Sequence, residues 1–136
     1  MSATPRFDLQ ADSLEAALTV AHLEHSAAWY CDALGFAIDR RHEREGKAIA
    51  VSLRAGAVRI LLAQDDGAKG MDRIKGQGVS LQITTSQDAL EVASHLKAHG
   101  TSLDTEPTRM PWGVTVLRVR DPDGFRLTIS STQPAA

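Results

Sequence analysis

The sequence has almost no cysteine, few aromatic residues and no surplus of either charge. Cys31 is the one cysteine among 136 residues, so an internal disulfide is impossible and folding depends on a hydrophobic core. A chain of this length buries enough apolar surface to fold without disulfide bonds. A single free thiol is typical of a reducing compartment, and we therefore predict a cytoplasmic protein.

The near balance of charge excludes some classes of partner. Lys and Arg number 15 against 17 Asp and Glu, a formal net charge of -2, whereas surfaces that bind duplex nucleic acid are usually basic. The longest aliphatic runs span four residues, as at 48–51, against about 20 for a membrane-spanning helix. We predict no nucleic-acid and no membrane partner, and a globular protein that acts on small molecules or on other proteins.

Two segments of the chain repeat one order of elements. The first has a strand at 18–20, a helix over about 26–34, and then Gly35 before another strand. The second has the same features, in the same order, at 81–83, at about 87–98 and at Gly100. The first strands are 63 residues apart and the glycines 65. Glycine suits the left-handed position after a helix, so each glycine marks a helix end.

Two further strands follow each of these segments. Strands at 48–53 and 58–63 are joined across Ala55-Gly56, and strands at 113–119 and 125–130 across Asp121-Pro122-Asp123-Gly124, which favours a type I turn. Each half therefore has the order βαβββ, and we predict an α+β fold built from two such modules. We place the modules at 15–64 and 78–131, with a connector at 65–77, a lead-in at 1–14 and a tail at 132–136.

Alternating residues predict which face of each strand is buried. The apolar positions are Ala16, Leu18, Val20; Val58, Ile60, Leu62; Val79, Leu81, Ile83; and Phe125, Leu127, Ile129. The matching helix stripes are Ala28, Cys31, Leu34 and Ala89, Val92, Ala93, Leu96. The opposite faces carry Glu15, Thr19, Arg54, Arg59, Ser80, Gln82, Arg126 and Thr128. We interpret these residues as the lining of a curved cup, and a flat solvated sheet is the alternative.

Several motifs in this order resemble those of the vicinal oxygen chelate superfamily, which includes glyoxalase I, extradiol dioxygenases, fosfomycin-resistance enzymes and bleomycin-resistance proteins. They are Leu18-Thr19-Val20, Ser26-Ala27-Ala28-Trp29-Tyr30, Leu34-Gly35-Phe36, Pro111-Trp112-Gly113 and Asp121-Pro122-Asp123-Gly124-Phe125, spread over residues 15–130. The resemblance implies a cup-shaped mixed sheet with the helices on its convex face. It also implies a homodimer, since two chains usually complete the cup.

The resemblance also implies four metal-ligand positions, on the first and last strand of each module. Carried over by the flanking motifs, they fall on Glu15, Leu61, Gly78 and Thr128. A catalytic divalent metal needs about three ligands from His, Asp, Glu or Cys, and only Glu15 is of that kind. We therefore predict no metal and no cofactor.

Other residues have both a functional and an ordinary interpretation. Trp112 either stacks on a planar ligand or packs against the rim or a partner subunit. Arg54, Arg59 and Arg126 either hold an anion or are simply solvated. For Cys31 we predict a small core residue rather than a nucleophile. We predict surface or loop roles for the five histidines, His22, His25, His42, His95 and His99.

These observations favour a metal-independent protein of the bleomycin-resistance type that sequesters a planar or anionic small molecule in the cup. The ligand-binding residues would be Trp112, Arg59, Arg126, Thr128, Ser80, Gln82, Thr19 and Arg54. One alternative is an enzyme of the same superfamily (a lyase, isomerase or dioxygenase-like protein) with a displaced or absent metal and Glu15 as its acid/base. Another is a regulatory or structural partner protein with an empty cup.

Overall fold

The computed structural model describes residues 6–71 and 73–133. The first module consists of β1 (Glu15–Val20), α1 (Leu23–Leu34), β2 (Ala37–Arg44), β3 (Lys47–Ala55) and β4 (Val58–Gln64). The second consists of β5 (Ser80–Thr85), α2 (Ala89–Ala98), β6 (Leu103–Arg109), β7 (Thr115–Arg120) and β8 (Arg126–Ser131). The predicted α+β fold with two βαβββ modules is confirmed.

Each module forms its own four-stranded mixed sheet. The strand order is β1-β4-β3-β2 in the first sheet and β5-β8-β7-β6 in the second. β1 is parallel to β4 and β5 is parallel to β8, while the other neighbours are antiparallel. β1 and β5 are therefore edge strands, and in the described part of the chain each is hydrogen-bonded to a neighbouring strand on one side only.

The two modules meet through their helices. Helix α1 packs on the first sheet, α2 packs on the second, and the helices contact each other. Val119 and Leu127 of the second sheet belong to the same buried cluster as Leu62 and Tyr30 of the first module. The face of each sheet that looks away from its helix is called the outer face below.

Helix α1 starts earlier than predicted, at Leu23 rather than Ser26, and buries a different stripe. Of the predicted residues, Ala28 is exposed and Cys31 and Leu34 are only half-buried. The fully buried residues are Leu23, Ser26, Ala27, Tyr30 and Ala33. The prediction was wrong because Ser26 is polar yet buried, its hydroxyl donating to Asp123 Oδ2 at 3.2 Å.

Helix α2 follows the prediction closely. It begins at Ala89, two residues later than expected, because Asp88 caps it: the Asp88 carboxylate accepts a hydrogen bond from the Leu90 amide at 3.0 Å. Ala89, Ala93 and Leu96 are buried as predicted, and Val92 is partly buried. The apolar stripe of α2 contains no polar residue, which is why its period could be read from the sequence.

The turns differ from the predictions only in detail. The carbonyl of Asp121 accepts a hydrogen bond from the Gly124 amide at 3.0 Å, which confirms the predicted turn between β7 and β8. Val79 was predicted to be buried but is 51% exposed, because β5 starts one residue later, at Ser80. Gly35 ends α1 in the left-handed conformation at φ 74°.

Neither helix in the part of the chain that the structure describes is long and apolar enough to span a membrane.

Candidate ligand-binding faces

Strand register places matched rows of residues across the two outer faces. In the first sheet, Glu15 lies opposite Arg59, which in turn lies opposite Arg54 of β3. In the second sheet, Ser80 lies opposite Arg126, which in turn lies opposite Arg120 of β7. The predicted site residues of each module therefore share a face, and each module carries two arginines directly across from one another.

The middle of each outer face has a different character. In the first sheet the central rows contain the small residues Ala17, Ser52, Ala50 and Ala63 together with Leu61 and Thr19. In the second sheet the central rows contain Gln82, Thr128, Arg118, Thr84 and Ser130 together with Val116. Thr128 is only 8% exposed, so its hydroxyl lies beneath its longer neighbours. The first face is small and weakly polar, and the second is polar.

The strand register assigns a different residue to one of the four metal-ligand positions that the resemblance implies. Leu61 lies opposite Ala17, and Thr128 lies opposite Gln82, so the counterpart of Ala17 is Gln82, 65 residues later. The counterpart of Glu15 is then Ser80, whereas Gly78 precedes β5. The same interval of 65 separates Gly35 from Gly100, and this interval in the sequence could have identified Ser80.

The four positions, with Ser80 in place of Gly78, still offer a poor set of metal ligands. Glu15 is an exposed carboxylate at the start of β1, Leu61 has no donor atom, and serine and threonine hydroxyls are neutral. Within residues 6–71 and 73–133, no three His, Cys, Asp or Glu side chains are grouped so that they could hold a metal ion.

The outer-face arginines are only partly neutralised. Arg59 pairs with Asp39 at 3.3 Å, and Arg120 pairs with Asp104 at 2.8 Å. Arg54 and Arg126 make no ion pair among the described residues. Arg120 was not predicted as a site residue, although Arg54 and Arg59 flank one hairpin as Arg120 and Arg126 flank another. Of each opposed pair, one arginine therefore has no carboxylate partner among the described residues, Arg54 in the first module and Arg126 in the second.

The turn at 121–124, predicted only as a turn, joins the two modules. The Tyr30 hydroxyl donates to Asp121 Oδ2 at 2.8 Å, and the Ala21 amide donates to Asp123 Oδ1 at 2.9 Å. Burial raises the pKa of Tyr30 above its usual range, and it also raises the pKa of the Asp121 carboxyl. These bonds fix the second sheet against α1, so the orientation of the two faces is set by buried polar contacts.

A second buried ionic group connects the end of β4 to the connector. Asp65 pairs with Lys75 at 3.0 Å and with Arg73 at 3.3 Å, and Lys75 also reaches Asp123 at 3.5 Å. The hydrogen bond from the Gly67 amide, together with Lys75, lowers the pKa of Asp65 to about 2. The connector is therefore held down on the turn of the second module.

A cleft of about 750 Å³ separates the modules on their helical side. Leu34, Phe36 and Ile83 contribute apolar walls, and His95 lies at its border with Nε2 bonded to the Asp32 carbonyl at 2.9 Å. None of the predicted ligand-binding residues lines this cleft. Burial raises the pKa of the nearby Cys31 thiol, which keeps it protonated and is consistent with its predicted inertness.

Trp112 lies apart from the arginines. It is 73% exposed in a tight loop, in which the Gly113 amide donates to the Met110 carbonyl at 3.0 Å. The loop precedes β7, whereas Arg120 ends that strand, so the strand separates the two side chains. The predicted ligand-binding residues are therefore divided between the two sheets. Within the second module, Trp112 lies in the loop before β7, whereas Arg126 lies opposite the last residue of β7.

Known structures share this architecture. TioX from Micromonospora sp. ML1 is 17% identical, with 90% of this chain and 99% of that chain covered and a TM-score of 0.74. TnmS3, an antibiotic binding protein from Streptomyces sp. CB03234, is 17% identical, with coverage of 95% and 100% and a TM-score of 0.71. A lactoylglutathione lyase from Agrobacterium tumefaciens is 20% identical, with coverage of 90% and 95% and a TM-score of 0.66.

At these identities the likeness shows the fold alone, and it includes both a binding protein and an enzyme. No curated protein matches the chain. Residues 13–129 match the sequence profile of a single family, over nearly the whole of the two modules. The chain therefore belongs to the Glyoxalase/Bleomycin resistance protein/Dioxygenase superfamily.

Proposed function

We propose that this protein is a metal-independent small-molecule-binding protein, and that its ligand lies between the outer faces of two chains of a homodimer. The observation that carries the proposal is a pair of outer faces at matched positions, the first lined by small and weakly polar residues and the second by polar ones. A ligand held between the two faces would use both.

The edge strands support the dimer. β1 and β5 each have a free edge, and open edges are commonly covered by another chain. If the first sheet of one protomer meets the second sheet of its partner, the small residues around Ala17 and Ala63 face the polar residues around Gln82. A pocket with one apolar wall and a few placed polar groups is the usual form of a small-molecule site.

The donor set supports metal independence. Of the positions discussed above, Glu15 alone carries a carboxylate, and about three ligands are needed for a catalytic site. The name of TnmS3 describes an antibiotic binding protein, and this supports a binding role on the same fold. The single thiol of Cys31 is the reason for proposing a cytoplasmic location.

Native mass spectrometry of the purified protein, followed by the same sample denatured, tests this proposal. We expect a dimer without bound transition metal that carries an organic compound lost on denaturation. A stoichiometric transition metal would overturn metal independence. A monomer that carries no compound, and that remains monomeric when candidate compounds are added, would overturn the shared site.

The alternative is an enzyme of the superfamily that uses Glu15 as its acid/base. Its position on the outer face of β1, opposite Arg59, is the observation that favours this alternative. A carboxylate at this position would act as a general acid or base toward a ligand in the cup. Glu15→Gln would then abolish turnover of an identified substrate while leaving binding nearly unchanged. Equal turnover in the variant would exclude this role for Glu15.

A further inference from the structure

Two pairs of arginines face each other across the hairpins of this fold. Arg54 lies directly opposite Arg59, and Arg120 lies directly opposite Arg126. Directly opposed residues in an antiparallel pair have Cβ atoms about 5 Å apart, and like charges there are destabilising. The arrangement occurs once in each module, on the outer face and beside the edge strand. One arginine of each pair has a carboxylate partner, Asp39 for Arg59 and Asp104 for Arg120, so an anion could offset the remaining charge.

The pair in the second module lies in a pocket. Arg120 and Arg126 line a cavity of about 400 Å³ together with Arg73 and Lys75 of the connector. The Lys75 side chain is only 8% exposed, so this charge is held inside the protein rather than in solvent. The pocket therefore brings four cationic side chains together, one of them buried.

The connector closes this pocket through a close backbone contact. Gly76 has φ 81°, and a Cβ atom at this position would lie 3.1 Å from the carbonyl oxygen of Gly124. Only glycine fits here without displacing the turn. The connector thus carries Arg73 and Lys75 to a fixed place beside Arg126, whereas Arg54 and Arg59 do not line this pocket.

Charges around the pocket do not balance. The ion pairs are Arg73–Asp65 at 3.3 Å, Lys75–Asp65 at 3.0 Å, Lys75–Asp123 at 3.5 Å and Arg120–Asp104 at 2.8 Å. Four cations thus meet three carboxylates, and Arg126 has no carboxylate partner in residues 6–71 and 73–133. Arg120 donates to Asp104 through Nε, which leaves both of its Nη groups for another acceptor. One singly charged anionic group would complete the site.

We propose that this basic pocket is an anion subsite, and that the ligand of the protein carries a carboxylate or phosphate group bound by Arg126 and Arg120. The assignment of this group to the ligand rests on the proposed function, whereas the subsite itself does not. Arginine suits this task because its planar guanidinium can donate two parallel hydrogen bonds to a carboxylate or phosphate. The arginine pair of the first module, which no connector covers, has a lower affinity for anions.

Inorganic phosphate and malonate are suitable probes, with sodium chloride at equal ionic strength as the reference. Titration of the full-length protein, followed by amide NMR and calorimetry, should give saturable shifts at Gly76, Gln77 and Gly124. Arg126→Gln should weaken binding about tenfold or more, since a hydrogen bond to a charged group of about 1.5 kcal/mol corresponds to this factor. Arg44→Gln, which removes one cation of the exposed and opposed Arg44–Lys47 pair on β2 and β3, is the matched control and should leave binding within about twofold.

Melting temperatures of the two variants show whether a loss of binding reflects unfolding. Each substitution removes one of two opposed like charges, so both variants should melt at or slightly above the temperature of the wild type in chloride. Equal loss of binding in both variants, equal responses to chloride and phosphate, or the absence of saturable shifts would each overturn the subsite. A dimer that carries a neutral compound while phosphate and malonate fail to bind would refute the subsite and leave the proposed function intact.

Discussion

The two modules have one topology but two different outer faces. On the sides that face the helices, both sheets carry aliphatic residues such as Ile60 and Leu127 at matching places. On the outer sides, Ala17 of the first sheet corresponds to Gln82 of the second, and Leu61 corresponds to Thr128. Packing against a helix restricts the inner side to apolar residues, and the outer side is under no such restriction. The fold is therefore specified by one side of each sheet, and the proposed binding site lies on the other.

The modules differ again in what surrounds them. The connector lies against the turn of the second module, where Gly76 contacts the backbone of Gly124, and it pairs with Asp65 at the end of the first. It thereby turns one of two equivalent arginine pairs into a pocket. The connector, which lies outside the repeat, thus distinguishes the Arg120–Arg126 pair from the Arg54–Arg59 pair. Comparison of the two repeated segments alone could not show this difference.

The largest effects should come from the core that the modules share. Leu62→Ala and Leu127→Ala each remove a fully buried side chain and should lower the free energy of unfolding by about 2 to 5 kcal/mol. Because Leu62 and Leu127 belong to one cluster, both variants should still unfold in a single transition in urea. Circular dichroism and Trp29 fluorescence should report the same midpoint. Two separate transitions would show that the modules are independent, and exposed Leu90→Ala is the control.

A second comparison concerns two buried aspartates, one after β4 and one after β7. Asp65 has its pKa lowered to about 2 by the Gly67 amide and Lys75, whereas burial raises the pKa of Asp121. Asp65 therefore stabilises the protein above its usual pKa of 3.8, and this contribution is lost as the pH falls from about 4 to about 2. Protonation of Asp121 acts in the opposite direction, because its folded-state pKa is the higher one.

Melting temperatures measured between pH 2 and pH 6 test this difference. Asp65→Asn should flatten the acid side of the profile, with about one proton fewer taken up on unfolding between about pH 4 and pH 2. Asp121→Asn should steepen the same side, because it removes a group whose protonation favours the folded state. Identical profiles for the two variants would mean that the environments of these carboxylates do not differ.

The smallest effect on stability is expected at Trp112, where the two tryptophans offer a comparison. Trp29 is half-buried in α1 and donates to the Thr101 hydroxyl at 3.1 Å, whereas Trp112 is exposed. Trp112→Ala should change the free energy of unfolding by less than about 0.5 kcal/mol. Stacking of a planar ligand on Trp112 should appear as a loss of affinity of about fivefold in this variant, since one aromatic contact contributes about 1 kcal/mol. Unchanged affinity would exclude stacking.

Much of the fold could be read from the sequence because it depends on local patterns. The alternation in β4 and β8, the glycine after each helix and the turn at 121–124 all predicted elements that the structure contains. The buried stripe of helix α1 was predicted wrongly because the Ser26 hydroxyl donates its hydrogen bond to Asp123, a residue 97 positions away. A long-range contact of this kind leaves no mark in local periodicity.

The candidate site was less predictable than the fold. Alternation placed Arg59, Ser80, Arg126 and Gln82 on outer faces, and the structure has them there. It could not show that Arg120 lies opposite Arg126, because cross-strand register depends on turn length and on bulges. It also could not show that Lys75 comes to the same place, because the connector has no periodic pattern that would reveal where it lies.

The bond between Tyr30 and Asp121 has a consequence for any division of the chain. A chain made of the first module alone would leave the Tyr30 hydroxyl without its acceptor and would lack Val119 and Leu127, which belong to its buried cluster. Cutting the chain at the connector would therefore destabilise the first module, although each module has a complete sheet of its own.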